Sequence, residues 1–286
     1  MAKKSVIITE KNKDYCKTLA KTIENIAYRN GSRYSVWSDF IYMSAAALSQ
    51  PVDFRQNRED KYLHIINSYD AETQKLFPEL LAGLALFFEN RNFDDTLGEV
   101  YTEMRLLNDK NGQIFTPYHI CKFMAAITGD KESLTAEIEQ KGYITVSDPC
   151  CGAGAMLIAF ADNCTECGIN YQDSVLFAAQ DIDCSAAMMC YVQMSLLGMP
   201  GYVVIGNSLI PSDTYDTWYT PMYYLKGFNY RTQNIADTNT GIIESETTSG
   251  DVVTQSEPQK AIIPETDIDI ALRETENGQF TFDFAS

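Results

Sequence analysis

Positive charge is scarce in this sequence. Its 286 residues carry 22 Lys and Arg against 39 Asp and Glu, a formal net charge of −17. Contact with phosphate is dominated by Lys and Arg, so a chain this acidic is a poor DNA binder on its own. The imbalance is uneven. From Arg231 to Ser286, three basic residues (Arg231, Lys260, Arg273) face eleven acidic ones, a net of −8, leaving −9 on the first 230 residues. No basic stripe and no separate target-recognition segment is visible. Long apolar runs are missing as well. Nothing approaches the roughly 18 residues of a membrane span, and the longest apolar region, Leu80 to Phe88, is helix-like and flanked by charge. The stretch after Met1-Ala2-Lys3-Lys4-Ser5 is too short for a signal-peptide core. A cytoplasmic protein with no membrane partner is expected. The eight cysteines follow no disulfide spacing and should stay reduced in that compartment. Cys164-Thr165-Glu166-Cys167 is a lone CxxC. A zinc site needs a second pair, and Cys184 and Cys190 have five residues between them rather than two, so free thiols and no metal site are expected.

Hydrophobic residues make up an ordinary 45% of the chain and fall into three zones. In residues 1–110, Tyr15, Leu19, Ile23 and Ile26 recur at helical spacing between Lys13 and Tyr28. Ser35 to Leu48, Glu59 to Ser68 and Ala71 to Glu89 read the same way, with Pro51 marking a loop and Pro78 a helix start. This zone reads as a helical N-terminal domain. Residues 111–230 alternate strand and helix. Tyr143 to Ser147, Val175 to Ala179 and Tyr202 to Ile205 are short β-branched or apolar runs. Helices from about Ala155 to Asn163 and from Ser185 to Leu197 separate them. That βαβαβ order predicts a parallel sheet with right-handed crossovers and a ligand site at the carboxyl ends of its strands. Residues 231–286 are rich in Ser, Thr, Asn, Asp and Glu and read as an acidic disordered tail. The alternation in Gln279-Phe280-Thr281-Phe282-Asp283-Phe284 suits a short strand or a fraying terminus.

Chemistry concentrates at the three strand ends. Asp148-Pro149-Cys150-Cys151-Gly152-Ala153-Gly154 follows the first strand, and Gly152 and Gly154 allow the backbone to approach a ligand closely. The leading Asp-Pro and the missing third glycine set it apart from the dinucleotide fingerprint. The pattern suits the amino-acid half of S-adenosylmethionine, whose ammonium favours a carboxylate. Asp148 supplies that charge or fixes the loop. Asp181 ends the second strand, where an acid can accept both ribose hydroxyls. Asp183 competes for that role and otherwise caps the next helix. Gly206-Asn207-Ser208 ends the third strand, where a side-chain amide can reach the adenine edge. Upstream, Gln113-Ile114-Phe115-Thr116-Pro117 provides an aromatic ring to pack on the cofactor. Thr116 and the adjacent backbone face its carboxylate, or Thr116 caps a helix with Pro117 in its first turn.

Together with Leu97-Gly98-Glu99-Val100-Tyr101 and Ala179-Gln180-Asp181-Ile182-Asp183, these motifs resemble the modification subunits of type I restriction systems. Those are adenine-N6 DNA methyltransferases with a helical domain ahead of the catalytic sheet. The likeness covers about Ala71 to Leu209. It implies an α/β, Rossmann-like S-adenosylmethionine-dependent methyltransferase core, with a complete or an incomplete sheet, after an N-terminal helical domain. It also implies cofactor contacts at Gln113, Phe115, Thr116, Pro117, Asp148, Cys150, Cys151, Gly152, Gly154, Asp181 and Asn207. Asn207 stands where the family usually has Asp, which keeps one acceptor and adds a donor.

The family's catalytic Asn/Asp-Pro-Pro-Tyr/Phe, in which a polar side chain and a proline carbonyl hold the target amine and a ring stacks on a flipped base, occurs nowhere in the chain. The nearest match is Thr220-Pro221-Met222-Tyr223, expected after a fourth strand, with Thr220, Pro221 and Tyr223 as degenerate catalytic positions. After Tyr223 the low-hydrophobicity remainder cannot supply three further buried strands, so the sheet is either short or completed by another chain. Three functions are compatible with these features. The first is an adenine-N6 DNA methyltransferase that reaches DNA through a partner, such as a specificity-type subunit. The second is a cofactor-binding pseudo-enzyme acting through protein interactions. The third is a methyltransferase for protein or another non-DNA substrate.

Overall fold

The helical periodicity of the first hundred residues is realised as six helices in the computed structural model, which describes residues 15–90, 93–107, 113–210, 212–232, 271–274 and 280–283. They are α1 (Tyr15–Asn30), α2 (Arg33–Ser49), α3 (Gln56–Ile66), α4 (Ala71–Gln74), α5 (Leu76–Asn90) and α6 (Thr96–Glu103). Short polar residues start them: the side chains of Ser32, Asp70 and Asp95 accept from the N–H groups of Ser35, Glu72 and Gly98. The single helix expected over 71–89 divides at Lys75, and Pro78 lies in the first turn of α5. In α1, Tyr15, Leu19, Ile23 and Ile26 are all buried, as their spacing requires.

The second zone contributes α7 (Tyr118–Thr128), α8 (Lys131–Lys141), β1 (Ile144–Asp148), α9 (Ala155–Glu166), α10 (Tyr171–Ser174), β2 (Val175–Asp181), α11 (Cys184–Leu196), β3 (Gly201–Gly206), β4 (Thr214–Tyr219) and α12 (Pro221–Leu225). β1, β2 and β3 are parallel neighbours, joined by α9 with α10 and by α11, which is the predicted βαβαβ unit. Val175, Phe177 and Ala179 turn one sheet face into the main core. On the other face Leu176 packs with Tyr223 and Phe228, while Thr145 and Ser147 of β1 are exposed.

β4 departs from expectation. It pairs antiparallel with β3, Tyr202 opposite Tyr219, and forms the sheet edge remote from β1. The reason is the short connection. Residues 207–213 cannot make the crossover of a dozen or more residues that a parallel neighbour needs, so the chain turns back on itself. Burial fixes the strand there. Trp218 is enclosed between Tyr42 and Tyr191, and the Arg58 guanidinium lies 3.6 Å from its ring centroid. The same guanidinium bonds Asp216 Oδ1 (3.0 Å), the Thr217 carbonyl (2.7 Å) and Asp53 Oδ2 (3.1 Å). The N-terminal helices are therefore built onto the sheet, and one buried cluster runs from Tyr15 to Trp218.

The four-stranded sheet in order β1-β2-β3-β4 is an incomplete Rossmann-like core behind a helical region. Of the segment expected to be a disordered tail, residues 231–232 continue a helical turn, and β5 (Ala271–Glu274) pairs antiparallel with β6 (Phe280–Asp283). The rest of that expectation lies outside the described residues. No helix among the described residues is long and apolar enough to cross a membrane.

Candidate cofactor site

The loop after β1 holds its shape through backbone bonds that only small residues permit. Gly152 has φ +55° and Gly154 φ +98°, values L side chains rarely adopt. A Cβ on Gly154 would lie 2.9 Å from Cys190 Sγ in α11, and one on Gly152 would lie 3.3 Å from the Phe115 ring. Gly154 therefore admits close helix packing, and Gly152 leaves room for the Phe115 ring, which sits 5.7 Å from the Tyr101 ring.

Two carboxylates shape this loop. Asp148 Oδ1 accepts from Cys150 N (3.1 Å). Asp181 spans two loops: its Oδ2 accepts from Gly152 N (2.8 Å) and its Oδ1 from Asp183 N (2.8 Å). Burial pushes both carboxyls above their ordinary value. For Asp148 the Cys150 N–H opposes that shift and the negative charge of Asp181 adds to it; for Asp181 the N–H groups of Asp183 and Gly152 oppose it. Asp183 Oδ1 accepts from Ala186 N (2.8 Å), so Asp183 is the cap of α11, the alternative its position suggested.

Asn207 ends β3. Its Oδ1 accepts from Leu209 N (3.0 Å) and its own N–H bonds the Asp213 carbonyl, which fixes the turn into β4. Cys150 is exposed, with Sγ 3.9 Å from Ser208 Oγ, so the first and third loops meet. Cys151 is buried. Its N–H bonds the Gln180 carbonyl (2.9 Å), and a hydrogen bond with the Cys190 thiol, together with burial, drives its own thiol pKa well up. Asp148, Cys150, Cys151, Gly152, Gly154, Asp181 and Asn207 thus gather at the carboxyl ends of β1–β3, with Phe115 against the loop. Gln113 is half-buried, and Thr116 and Pro117 are exposed. Thr116 is not a cap: Pro117 holds the N-cap position of α7, and the Thr116 carbonyl accepts from Cys121 Sγ (3.7 Å).

Thr220, Pro221 and Tyr223 do not join this group, which corrects the expectation of a catalytic turn there. Because β4 runs backwards, they sit at the amino end of β3. Thr220 is fully buried, its hydroxyl donating to Met199 O (2.8 Å) and accepting from Gly201 N (3.0 Å). Pro221 and Tyr223 are buried as well. Their chemistry is that of a strand terminus.

Gln193 escaped the sequence reading. Fully buried in α11, it donates from Nε2 to Ala153 O (2.8 Å) and Asp95 Oδ1 (2.9 Å), and accepts from Leu97 N at Oε1 (3.0 Å). It clamps the glycine loop to the cap of α6. A single amide within the apolar run Ala186 to Leu197 was the available signal. Among the described residues no group of His, Cys, Asp and Glu could hold a metal ion, and all eight cysteines are free thiols.

No curated protein matches the sequence. Residues 92–254, more than half of the chain, match the N-6 DNA methylase family, a span that takes in α6, the glycine loop, Asp181 and Asn207. On that match and on this sheet, the chain belongs to the N-6 DNA methylase family.

Proposed function

We propose that the chain is the S-adenosylmethionine-binding part of an adenine-N6 DNA methyltransferase, of the kind found as modification subunits in type I restriction systems, and that a partner supplies DNA recognition and the catalytic turn. One observation carries this reading: Asp148, Asp181 and Asn207 end three successive parallel strands around a glycine loop that Asp181 itself holds. The donor set fits the cofactor. Two neighbouring carboxylates with raised pKa values favour a ligand that brings an ammonium and hydroxyl donors. Asp148 is assigned the ammonium. Asp181 is assigned the ribose, since each of its oxygens keeps acceptor capacity beyond its one backbone bond. Asn207 is assigned the adenine edge, Phe115 a packing face, and Gln113 to Pro117 the carboxylate. Cys150, Gly152 and Gly154 line the loop. When bound, the cofactor supplies an electrophilic methyl group.

The partner requirement rests on what the chain lacks. It has no Asn/Asp-Pro-Pro-aromatic motif, and its net charge is −17. The burial of Thr220 at the far end of the sheet also favours a second reading, a pseudo-methyltransferase that binds cofactor and acts through protein contacts. Incubation with methyl-labelled cofactor and unmethylated DNA, with and without the products of neighbouring genes, separates the two. Label in N6-methyladenine only when a second protein is present supports the partner-dependent enzyme. Absence of transfer under every combination removes it and leaves the pseudo-enzyme.

A further inference from the structure

We propose that the β5–β6 hairpin docks on the open edge of β1, beside α7. The inference goes beyond the cofactor reading and does not depend on it. Among the described residues β1 pairs with β2 alone within its sheet, so its other edge offers a row of backbone donors and acceptors, the kind of template that recruits another strand. Beside it, α7 is apolar on two sides. Cys121 and Ala125 are buried, while Ile120, Phe123, Met124 and Ile127, at i, i+3, i+4 and i+7, are 41–65% exposed. α7 packs along α9, to which Lys122–Asp162 (2.7 Å) and Asn163 Nδ2 to Gly129 O (2.7 Å) hold it. α9 is the crossover above β1 and β2, α11 lies on β2 and β3, and α8 leads from α7 onto β1. This puts α7 on the β1 flank of the helical layer.

The hairpin has the complementary need. Its register pairs Leu272 with Phe282 and Glu274 with Phe280, so positions 272, 274, 280 and 282 share one side, three of the four apolar. A two-stranded hairpin is at best marginally stable alone in water. The chain also leaves the core in the right place. Arg231 donates to Gly142 O (2.8 Å) and Asp173 O (2.8 Å), and its guanidinium stands over the Tyr143 ring, at the amino end of β1. Residues 233–270 follow, and at 3.3–3.6 Å per residue they span at most about 130 Å, against about 17 Å for a five-residue strand. A segment of the same chain starting beside this edge has a concentration advantage over a strand from a second molecule. A partner strand that completes the sheet must displace the hairpin.

Hydrogen exchange read by mass spectrometry on the full chain tests this, comparing wild type with Leu272→Asp/Phe282→Asp. The β1 amides pointing away from β2, and the α7 segment, are expected to exchange about tenfold faster or more in the variant, with β2 and β3 unchanged. Wild-type protection is expected to be independent of protein concentration. Rapid β1-edge exchange in wild type overturns the proposal, as does equal protection in both proteins. Protection that grows with concentration together with a dimer mass in sedimentation assigns the edge to a second copy and overturns it too. If β2 and β3 also lose protection in the variant, Thr281→Pro, which removes one backbone N–H of the hairpin, takes its place with the same criteria.

Discussion

The surroundings of Asp148 disfavour its ionised form, and that makes its role measurable. Burial and the Asp181 charge raise its carboxyl above the ordinary value of 3.8, so the folded chain holds that proton more readily than the unfolded one. Its contribution to stability is therefore most favourable in acid and deteriorates as pH rises from about 4 through the raised value. Asp148→Asn keeps the Oδ1 acceptor for Cys150 N and removes the charge. Thermal melts without ligand are expected to show the variant more stable than wild type at pH 7, with the gain vanishing near pH 3. A variant less stable than wild type at pH 7 contradicts this account of the site. At Thr220 the expectation runs the other way. Thr220→Val leaves Gly201 N–H and Met199 O without their partner and should cost about 1–3 kcal/mol in denaturant unfolding, with cofactor affinity unchanged. A loss of affinity with stability intact would place Thr220 back at the site.

At the level of elements, β1 to β3 and their helices were legible because alternating apolar runs, glycine turns and acidic caps agreed with one another. Asp183 could be read as a cap for the same reason. The direction of β4 was legible too, in the shortness of residues 207–213, but the proline and aromatic of Thr220 to Tyr223 drew attention to a motif instead. Gln193 could not be assigned from sequence, because its partners Asp95, Leu97 and Ala153 lie 40 to 98 residues away in the chain. Its importance is testable. Gln193→Leu strips a hydrogen bond from the buried Asp95 carboxylate, whose pKa burial already raises, and from Leu97 N and Ala153 O. We expect a loss of about 1–3 kcal/mol or more in equilibrium unfolding, since buried polar groups are left unpaired. A loss under 0.5 kcal/mol would show that the glycine loop does not lean on α6.

For the whole molecule, composition and topology give one account. Acidity argues against unaided DNA binding, and among the described residues the sheet stops at β1 on the side where a parallel strand would bring its carboxyl end beside the glycine loop. The N-terminal helices do not stand apart; Arg58, Trp218 and Gln193 join them to the sheet in one core, which the zone-by-zone reading of the sequence could not anticipate. On the proposed function, what the chain retains is a cofactor cradle. The most direct measurement is calorimetric titration of the full chain with S-adenosylmethionine, beside Asp181→Ala. Saturable one-to-one binding is predicted, weakened in the variant by about 1.5–3 kcal/mol, roughly 10- to 150-fold, for hydrogen bonds to a charged group. No binding at millimolar cofactor, or an unchanged dissociation constant in the variant, would contradict the account.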